Sequence, residues 1–207
     1  MNLLKTILLF LCISILSPLS LSESLPELCT QDCTHHFGEV LGESPSGVEA
    51  YSNCSNQCVN PEPQFINKTF TGIKWQCVEY ARRWLLVNKK VVYGDVDIAE
   101  DIWSLDVVHS PDKKEQFEFL SIVNGSKNVV LQRGDLLIYS RAFYGTGHVA
   151  VVLNVDEKRK IIKVGEQNFS NLVWDEDFSR EIQYIKNKDR IWLLDEYLIG
   201  WKRVFIR

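Results

Sequence analysis

The sequence lacks three features that would mark a membrane, nucleic-acid-binding or repeat protein. After residue 22 it has no apolar run approaching the ~20 residues that a transmembrane helix needs. It has no basic excess, because 23 Lys and Arg stand against 27 Asp and Glu. It also has no internal repeat, low-complexity tract or long linker. We therefore expect no nucleic-acid partner and no adhesion to anionic polymers by charge alone.

The first 22 residues have the composition of a secretory signal peptide. Lys5 precedes an apolar run at 6–15, and Ser20 and Ser22 stand where small residues flank a cleavage site. An uncleaved anchor is the alternative. We divide the chain into a signal peptide (1–22), a cysteine-containing segment (23–35) and a main domain (36–207). The protein would be secreted, or lie in the lumen of the secretory or vacuolar pathway, with no stable membrane insertion once the signal is cleaved.

Five cysteines remain after the signal peptide. Four of them form two pairs with the same spacing, Cys29/Cys33 and Cys54/Cys58. In an oxidising compartment they predict two disulfides, for which three connectivities are possible. Two antiparallel turns would join Cys29 to Cys58 and Cys33 to Cys54, since residues four apart share a helical face. A four-cysteine zinc site is the alternative, although this spacing is unusual for zinc.

Four Asn-x-Ser/Thr sequences suit a glycosylated secreted protein. They begin at Asn53, Asn67, Asn124 and Asn168. Because Asn168 belongs to the candidate site described below, we expect it to stay unmodified.

The pattern of apolar residues changes from helical to extended along the chain. Spacings of three and four predict a helix over 75–88, a shorter one over 97–107 and a third within 111–122. Residues rich in β-branched and aromatic side chains predict strands at 129–131, 135–139, 148–155, 161–166 and 199–206. Helices followed by an antiparallel sheet indicate the α+β class.

Cys77 is the cysteine left over when the other four are paired. It falls in the first turn of the predicted helix, where free N–H groups and the positive end of the helix dipole favour an anion. A thiolate at that position is a nucleophile, and the same N–H groups could stabilise the oxyanion formed on attack of an amide carbonyl. Gln76 is a candidate for an additional donor. A buried, merely packed thiol is the alternative.

A predicted hairpin supplies partners for this cysteine. Strands 149–155 and 160–164 flank a polar turn, and a turn centred on Glu157 would place His148 directly opposite Glu166. Asn168 would then oppose Thr146 on the same face. The carboxylate could hold the imidazole in the orientation that a general base needs. A shift of one residue would separate the two side chains, leaving a structural histidine and a solvated glutamate.

Other polar residues give weaker indications. Arg82 follows Cys77 by five residues, near the rim of the candidate site. Its planar guanidinium could bind a substrate carboxylate, or could be a solvated charge on the helix. The pair His35-His36 is more typical of an exposed loop than of a metal site. We see no role for His109, and Asp135 suits a turn or strand start. We expect neither a metal nor a cofactor.

Four segments of the chain form a recognisable set. They are Lys74-Trp75-Gln76-Cys77-Val78-Glu79-Tyr80-Ala81-Arg82-Arg83, Arg133-Gly134-Asp135-Leu136-Leu137-Ile138, Thr146-Gly147-His148-Val149-Ala150 and Glu166-Gln167-Asn168. Together they resemble the CHAP family of cysteine, histidine-dependent amidohydrolases/peptidases. Within that family the chain is most similar to the amidase domain of glutathionylspermidine synthetase/amidases, over nearly all of residues 36–204.

The resemblance implies a papain-like fold and a specific role for each of the site residues. It implies Cys77 as a nucleophile that forms a thioester, His148 as base and acid, and Glu166 as the residue that orients it. By the same resemblance the substrate pocket would be lined by Gln76, Arg82, Val96, Asp97, Ile98, Ala99 and Asn168. Main domain 36–207 would then be a CHAP amidase domain.

The family reaction implied is hydrolysis of the amide between the glycine carboxyl of glutathione and spermidine. Secretion and the two cysteine pairs depart from the family pattern, so a bacterial cell-wall peptide is an alternative substrate. A binding protein that retains the fold without catalysis is a third hypothesis. The intact Cys77, His148 and Glu166 set argues against it. We expect the partner to be a small peptide-amide or peptidoglycan-derived substrate.

Overall fold

A computed structural model describes residues 24–206. The predicted signal peptide, and with it the alternative of an uncleaved anchor, lies outside these residues. The α+β class is confirmed, with one α-helix, α1 (Cys77–Lys89), packed on an antiparallel sheet. The helix of the described chain is far too short and polar to cross a membrane, and the two 3₁₀ turns, Glu27–Cys29 and Ala99–Ser104, are shorter still.

The main sheet has nine antiparallel strands. In spatial order they are β12 (Arg190–Leu193), β11 (Arg180–Asn187), β10 (Ile161–Gly165), β9 (His148–Asp156), β8 (Leu136–Tyr139), β13 (Leu198–Phe205), β7 (Gln116–Val123), β6 (Val107–His109) and β5 (Val92–Tyr93). Two hairpins lie outside it, β1 (Val40–Glu43) with β2 (Glu49–Tyr51), and β3 (Pro63–Ile66) with β4 (Thr69–Ile73).

The central strands are buried on both faces. In β8 all four residues are buried: Leu136 and Ile138 pack in one core cluster with α1, and Leu137 packs in a second. The second cluster is built from the sheet itself, including Trp201. Asn124, just after β7, bonds both backbone groups of Leu193 in β12. The sheet therefore curls until its β12 edge meets the segment that follows β7.

Two of the predicted helices and one predicted strand are wrong. Residues 97–107 contain the 3₁₀ turn Ala99–Ser104 and the first residue of β6, and residues 116–123 form β7. Phe117 and Phe119 of β7 alternate with exposed residues, and this period of two is stabilised by pairing with β13. Residues 129–131 are a connection before β8 rather than a strand.

The N-terminal segment is closed by the two disulfides Cys29–Cys58 and Cys33–Cys54. This is the pairing expected for two antiparallel turns, and it excludes the zinc alternative. Cys77 is the free cysteine of the described chain. The disulfides hold residues 24–35 against the segment at 54–58, which runs towards β3 and the start of α1.

Candidate active site

Cys77 is the first residue of α1, two positions later than the predicted helix start. Gln76, the N-cap, has an extended backbone and makes no side-chain capping bond to the helix. The backbone N–H groups of the first turn are therefore not capped by this side chain. They remain free to donate beside the Cys77 thiol, at the positive end of the helix dipole. Cys77 as a whole is 8% exposed. This position favours an anion, as the sequence suggested.

His148, the first residue of β9, contacts Glu166 just beyond the end of β10. Nε2 of His148 lies 2.9 Å from Oε2 of Glu166, and both side chains are buried. The Cys77 thiol lies close enough to the same imidazole to raise its pKa. Because Nε2 is occupied by the carboxylate, Nδ1 is the nitrogen left for the thiol.

The register that brings these side chains together differs from the predicted one. Lys163 pairs with Asn154, but the next residue, Val164, pairs with Val152, so Leu153 is a bulge in β9. Extending this register makes His148 and Glu166 diagonal neighbours on one face, not directly opposed residues. The turn is also centred further along the chain than predicted, between Lys158 and Arg159, and without the bulge the two side chains would lie on opposite faces.

Two glycines allow the close approaches around the site. A Cβ on Gly165 would lie 2.4 Å from the Tyr80 hydroxyl of α1, so any larger residue would push the end of β10 from the helix. Gly147 has φ +73°, and a Cβ there would lie 2.3 Å from the Tyr139 carbonyl oxygen. His148 and Glu166 are therefore each preceded by a glycine that a larger residue could not replace without moving the backbone.

The electrostatic environment stabilises the charged forms of both partners. Burial alone lowers the pKa of His148, but the hydrogen bonds and charges of Cys77 and Glu166 outweigh it and raise that pKa to about 9. Burial raises the pKa of Glu166, yet His148 and Arg180 lower it to about 2. At neutral pH the pair is an imidazolium and a carboxylate.

A polar network behind Glu166 was missed by the sequence analysis. Oε1 of Glu166 accepts bonds from Ser179 Oγ (3.0 Å) and Arg180 Nε (2.7 Å). Arg180 also bonds Asp195 at 2.8 Å, and the Tyr139 hydroxyl donates to the same carboxylate at 2.6 Å. No motif could indicate this network, because its members are spread over strands far apart in sequence.

Aromatic rings enclose the imidazole. The ring centroids of Tyr139, Phe143 and Phe169 lie 5.6, 5.9 and 5.2 Å from that of His148. They account for its burial and fix its ring plane between the thiol and the carboxylate. Neither Phe143 nor Phe169 was predicted to belong to the site, because both occupy connections rather than predicted strands.

Gln76 is positioned by both the disulfide-bonded segment and the residues after β10. Its Nε2 donates to the Cys58 carbonyl at 3.0 Å, and its Oε1 accepts from Asn168 Nδ2 at 2.9 Å. The second N–H of that amide has no partner among the described residues, and Gln76 and Cys77 line the same cavity. The Oδ1 atom of Asn168 is buried without a partner among the described residues.

Most of the predicted pocket residues line one cavity of about 330 Å³ that contains Cys77. They are Gln76, Arg82, Val96, Asp97, Ile98 and Ala99. Asn168 does not line that cavity, but it is hydrogen-bonded to Gln76, which does. The walls are completed by apolar side chains such as Val59, Phe70 and Ile73. The cavity is large enough for a small peptide-amide.

Arg82 is placed differently from its expected position at an open rim. It is 1% exposed, and its two terminal nitrogens donate to the carbonyls of Thr71 (3.1 Å) and Gly94 (2.8 Å). A weaker contact of 3.3 Å joins it to Asp95. Its fork is therefore already occupied by the protein, and Arg82 contributes charge to the cavity wall rather than a free carboxylate clamp.

A buried ion pair lies beneath Gln76. Glu79 and Arg83 share two contacts of 2.8 and 3.0 Å, and Thr71 and Gln167 bond the same carboxylate. Gln167 also donates to the Gln76 carbonyl at 3.2 Å. The ion pair thus supports the residue that precedes the thiol, a role the sequence did not indicate.

The remaining candidate residues lie elsewhere. His35 pairs with Glu39 at 2.9 Å, and Asp135 pairs with Arg203 at 2.7 Å beside β8. In residues 24–206 no three His, Cys, Asp or Glu side chains form a group that could hold a metal ion.

A family comparison agrees with this geometry. The sequence model of the CHAP domain matches residues 68–168, a span that includes Cys77, His148 and Glu166. This chain carries a CHAP domain. The predicted resemblance is thereby confirmed, while the disulfide-bonded segment before residue 68 lies outside the matched span.

Curated relatives carry the same domain within longer proteins. The chain is 31% identical to trypanothione synthetase of Crithidia fasciculata over 76% of its length and 24% of the relative's. It is 30% identical to bifunctional glutathionylspermidine synthetase/amidase of Escherichia coli (strain K12), over 80% and 29%. The chain thus spans about a quarter of their length. The CHAP domain and the relative named as an amidase support an amidase or peptidase type of function.

Proposed function

We propose that this protein is a secreted cysteine amidase in which Cys77, His148 and Glu166 act as a catalytic triad. The observation that carries the proposal is the convergence of the three side chains, from a helix start and two strand ends, beside one cavity. Nucleophile, base and orienting group in contact are the arrangement that acyl transfer requires. In this proposal residues 1–22 are a signal peptide and 23–35 a cystine-linked extension of domain 36–207.

The first half of the reaction forms a thioester. The Cys77 sulfur attacks the amide carbonyl carbon, and the negative charge moves to the carbonyl oxygen. In this proposal the Cys77 backbone N–H and the free Nε2–H of Gln76 stabilise that oxyanion. When the C–N bond breaks, the His148 imidazolium gives its proton to the leaving amine nitrogen.

The second half returns the enzyme to its starting state. His148, now neutral, accepts a proton from water as the water oxygen attacks the thioester carbon. The C–S bond then breaks, releasing the carboxylic acid and restoring the Cys77 thiolate beside the imidazolium. Glu166 keeps Nε2 protonated throughout, so Nδ1 handles both proton transfers.

The substrate class follows from the relatives and from the compartment. The name of the Escherichia coli relative points to the amide of glutathionylspermidine. The two disulfides and the signal-like segment favour an extracytoplasmic location, where bacterial cell-wall peptide is a second candidate. We therefore expect a small peptide-amide.

Mass spectrometry of incubated substrates tests the proposal. The purified chain is incubated with glutathionylspermidine and, separately, with purified peptidoglycan, alongside a Cys77→Ala variant. We expect released amine from one of them and none with the variant. If the intact enzyme and Cys77→Ala give identical products, the amidase proposal fails. Product from peptidoglycan alone would support a thiol hydrolase and remove the polyamine conjugate as its substrate.

Of the four glycosylation sequences, we expect only Asn67 to carry a glycan. Asn67 lies exposed in the β3–β4 turn, whereas Asn53 is fully buried and bonds Ser55 and Cys58. Asn124 and Asn168 have their amides engaged by Leu193 and Gln76. The intact mass of chain expressed through a secretory pathway should fall by one glycan on enzymatic deglycosylation. Asn67→Gln should abolish that change, and a glycan persisting in the variant would contradict the assignment.

The Cys29–Cys58 disulfide should affect both stability and turnover. Replacing both cysteines with Ser is expected to lower the free energy of unfolding by about 2–4 kcal/mol. It should also lower kcat, by up to the ~10²-fold that follows loss of one oxyanion donor, because Cys58 holds Gln76.

The double variant Cys33→Ser/Cys54→Ser is the matched control for this effect. It removes a disulfide of similar loop length without freeing the carbonyl that binds Gln76. It should lose stability but retain more of kcat at a temperature where both variants are folded. Equal kcat in the two variants would exclude the positioning role.

A further inference from the structure

A second cavity, of about 500 Å³, lies beside the one that contains Cys77. It is formed by the β3–β4 turn, by β5 and by the turn after β6. The two cavities share three wall residues, Phe70, Arg82 and Asp95. A ligand could therefore occupy the catalytic cavity and extend over this wall into the second one. None of the site residues predicted from sequence belongs to the second cavity except Arg82.

The second cavity is basic, although the whole chain has a net charge of −4. Lys68, His109 and Lys113 line it, and none of the three has a carboxylate partner in residues 24–206. The one acid in the wall, Asp95, is already paired with Arg82. Neighbouring Asp112 is bound by Ser110 and Lys114. The cavity thus carries positive charge that the protein does not neutralise.

The fold presents these basic groups from fixed positions. Lys68 belongs to a two-residue turn in which Ile66 pairs with Thr69 and both turn residues have positive φ. Lys113 is held by its N–H bond to the Ser110 carbonyl at 2.8 Å. His109 is paired with Val92 in the sheet. The apolar walls, Phe70 and Tyr93, lie against the Arg82 guanidinium, with Tyr93 4.7 Å from it.

We propose that this cavity is an anion-binding subsite that receives a carboxylate-bearing part of the substrate, remote from the amide that is cleaved. The inference rests on the proposed function and narrows its substrate class to acidic peptide-amides. Lys68 and Lys113 supply the charge, and His109 supplies a hydrogen-bond donor. Arg82 adds charge through the shared wall. Unpaired cations on apolar walls favour a carboxylate over its neutral amide.

Calorimetric binding to the full chain carrying Cys77→Ala tests the subsite without requiring turnover. The probes are acetyl-Glu-Glu-Gly-amide and acetyl-Gln-Gln-Gly-amide, which differ only in their carboxylates. We expect the acidic peptide to bind ~10-fold more tightly, the combined effect of two partly exposed ion pairs. Lys68→Gln/Lys113→Gln should remove that preference and leave the affinity for the neutral peptide unchanged.

Lys158→Gln/Lys186→Gln is the matched control, since it removes two exposed positive charges from the β9–β10 turn and from β11, far from the cavity. It should preserve the preference to within ~2-fold, as expected for distant exposed charges in physiological salt. Equal affinities for the two peptides, or an equal loss in the control, would overturn the subsite. Because binding is read without catalysis, absence of hydrolysis with an intact preference would sink only the proposed function.

Discussion

Iodoacetamide is expected to label Cys77 at pH 6 with one equivalent per chain. His148→Ala should reduce the alkylation rate to that of an ordinary thiol. The other four cysteines of the described chain are in disulfides, so the stoichiometry reports on Cys77. The variant should also lose amide hydrolysis by at least ~10³-fold, as removal of a triad member does elsewhere. Mass spectrometry of the labelled peptide and a timed alkylation series provide the measurement.

The reason lies in the charge state of His148. Its pKa is raised to about 9, so the imidazolium persists through neutral pH and stabilises a thiolate beside it. Hydrolysis should decline as the pH rises through about 9, because the imidazolium then no longer supplies a proton to the leaving amine.

His36→Ala is the control, because His36 is exposed and lies outside both cavities. It should leave labelling and hydrolysis unchanged. Thermal unfolding of both variants establishes that the fold persists without the buried imidazole. If folded His148→Ala is alkylated at pH 6 as fast as the parent chain, His148 does not activate the thiol and the triad assignment is wrong.

The approach of His148 to Glu166 was predictable in outcome but not in register. An unbulged hairpin centred on Glu157 and the observed bulged hairpin both place the two residues on one face. The bulge at Leu153 depends on packing, because Leu153 is buried with α1 while Asn154 is exposed. The local sequence does not reveal that tertiary contact. The positions of the two strands were therefore predictable, whereas the pairing of particular residues was not.

The missed strand β7 has a similar origin. Residues 116–123 contain Phe117 and Phe119 at a period of two, which is visible in the sequence. Leu120 and Ile122 each follow one of these phenylalanines by three residues, which also fits a helix. Pairing with β13 decides between them, and β13 lies more than 70 residues downstream. The network of Arg180, Asp195 and Tyr139 was out of reach for the same reason, since only the folded sheet brings these residues together.

Replacing Arg83 with Met is expected to lower the free energy of unfolding by about 3–5 kcal/mol, because it leaves the Glu79 carboxylate buried without its counter-ion. Glu79 is fully buried, and two of its contacts come from Arg83, at 2.8 and 3.0 Å. Thr71 and Gln167 would remain as neutral partners and could not replace the lost charge. Urea unfolding at pH 7 with the disulfides intact measures the loss.

Two further variants separate charge from packing in this prediction. Glu79→Leu/Arg83→Met removes both charges and should be more stable than the single variant, since an apolar pair leaves no buried ion. Arg159→Met breaks the exposed pair with Glu181 and should cost no more than ~1 kcal/mol. If the double variant is as unstable as Arg83→Met, lost packing against Tyr51 and Tyr80 causes the effect instead. Either result bears on catalysis, because the same carboxylate binds Gln167, which in turn holds the backbone of Gln76 beside the thiol.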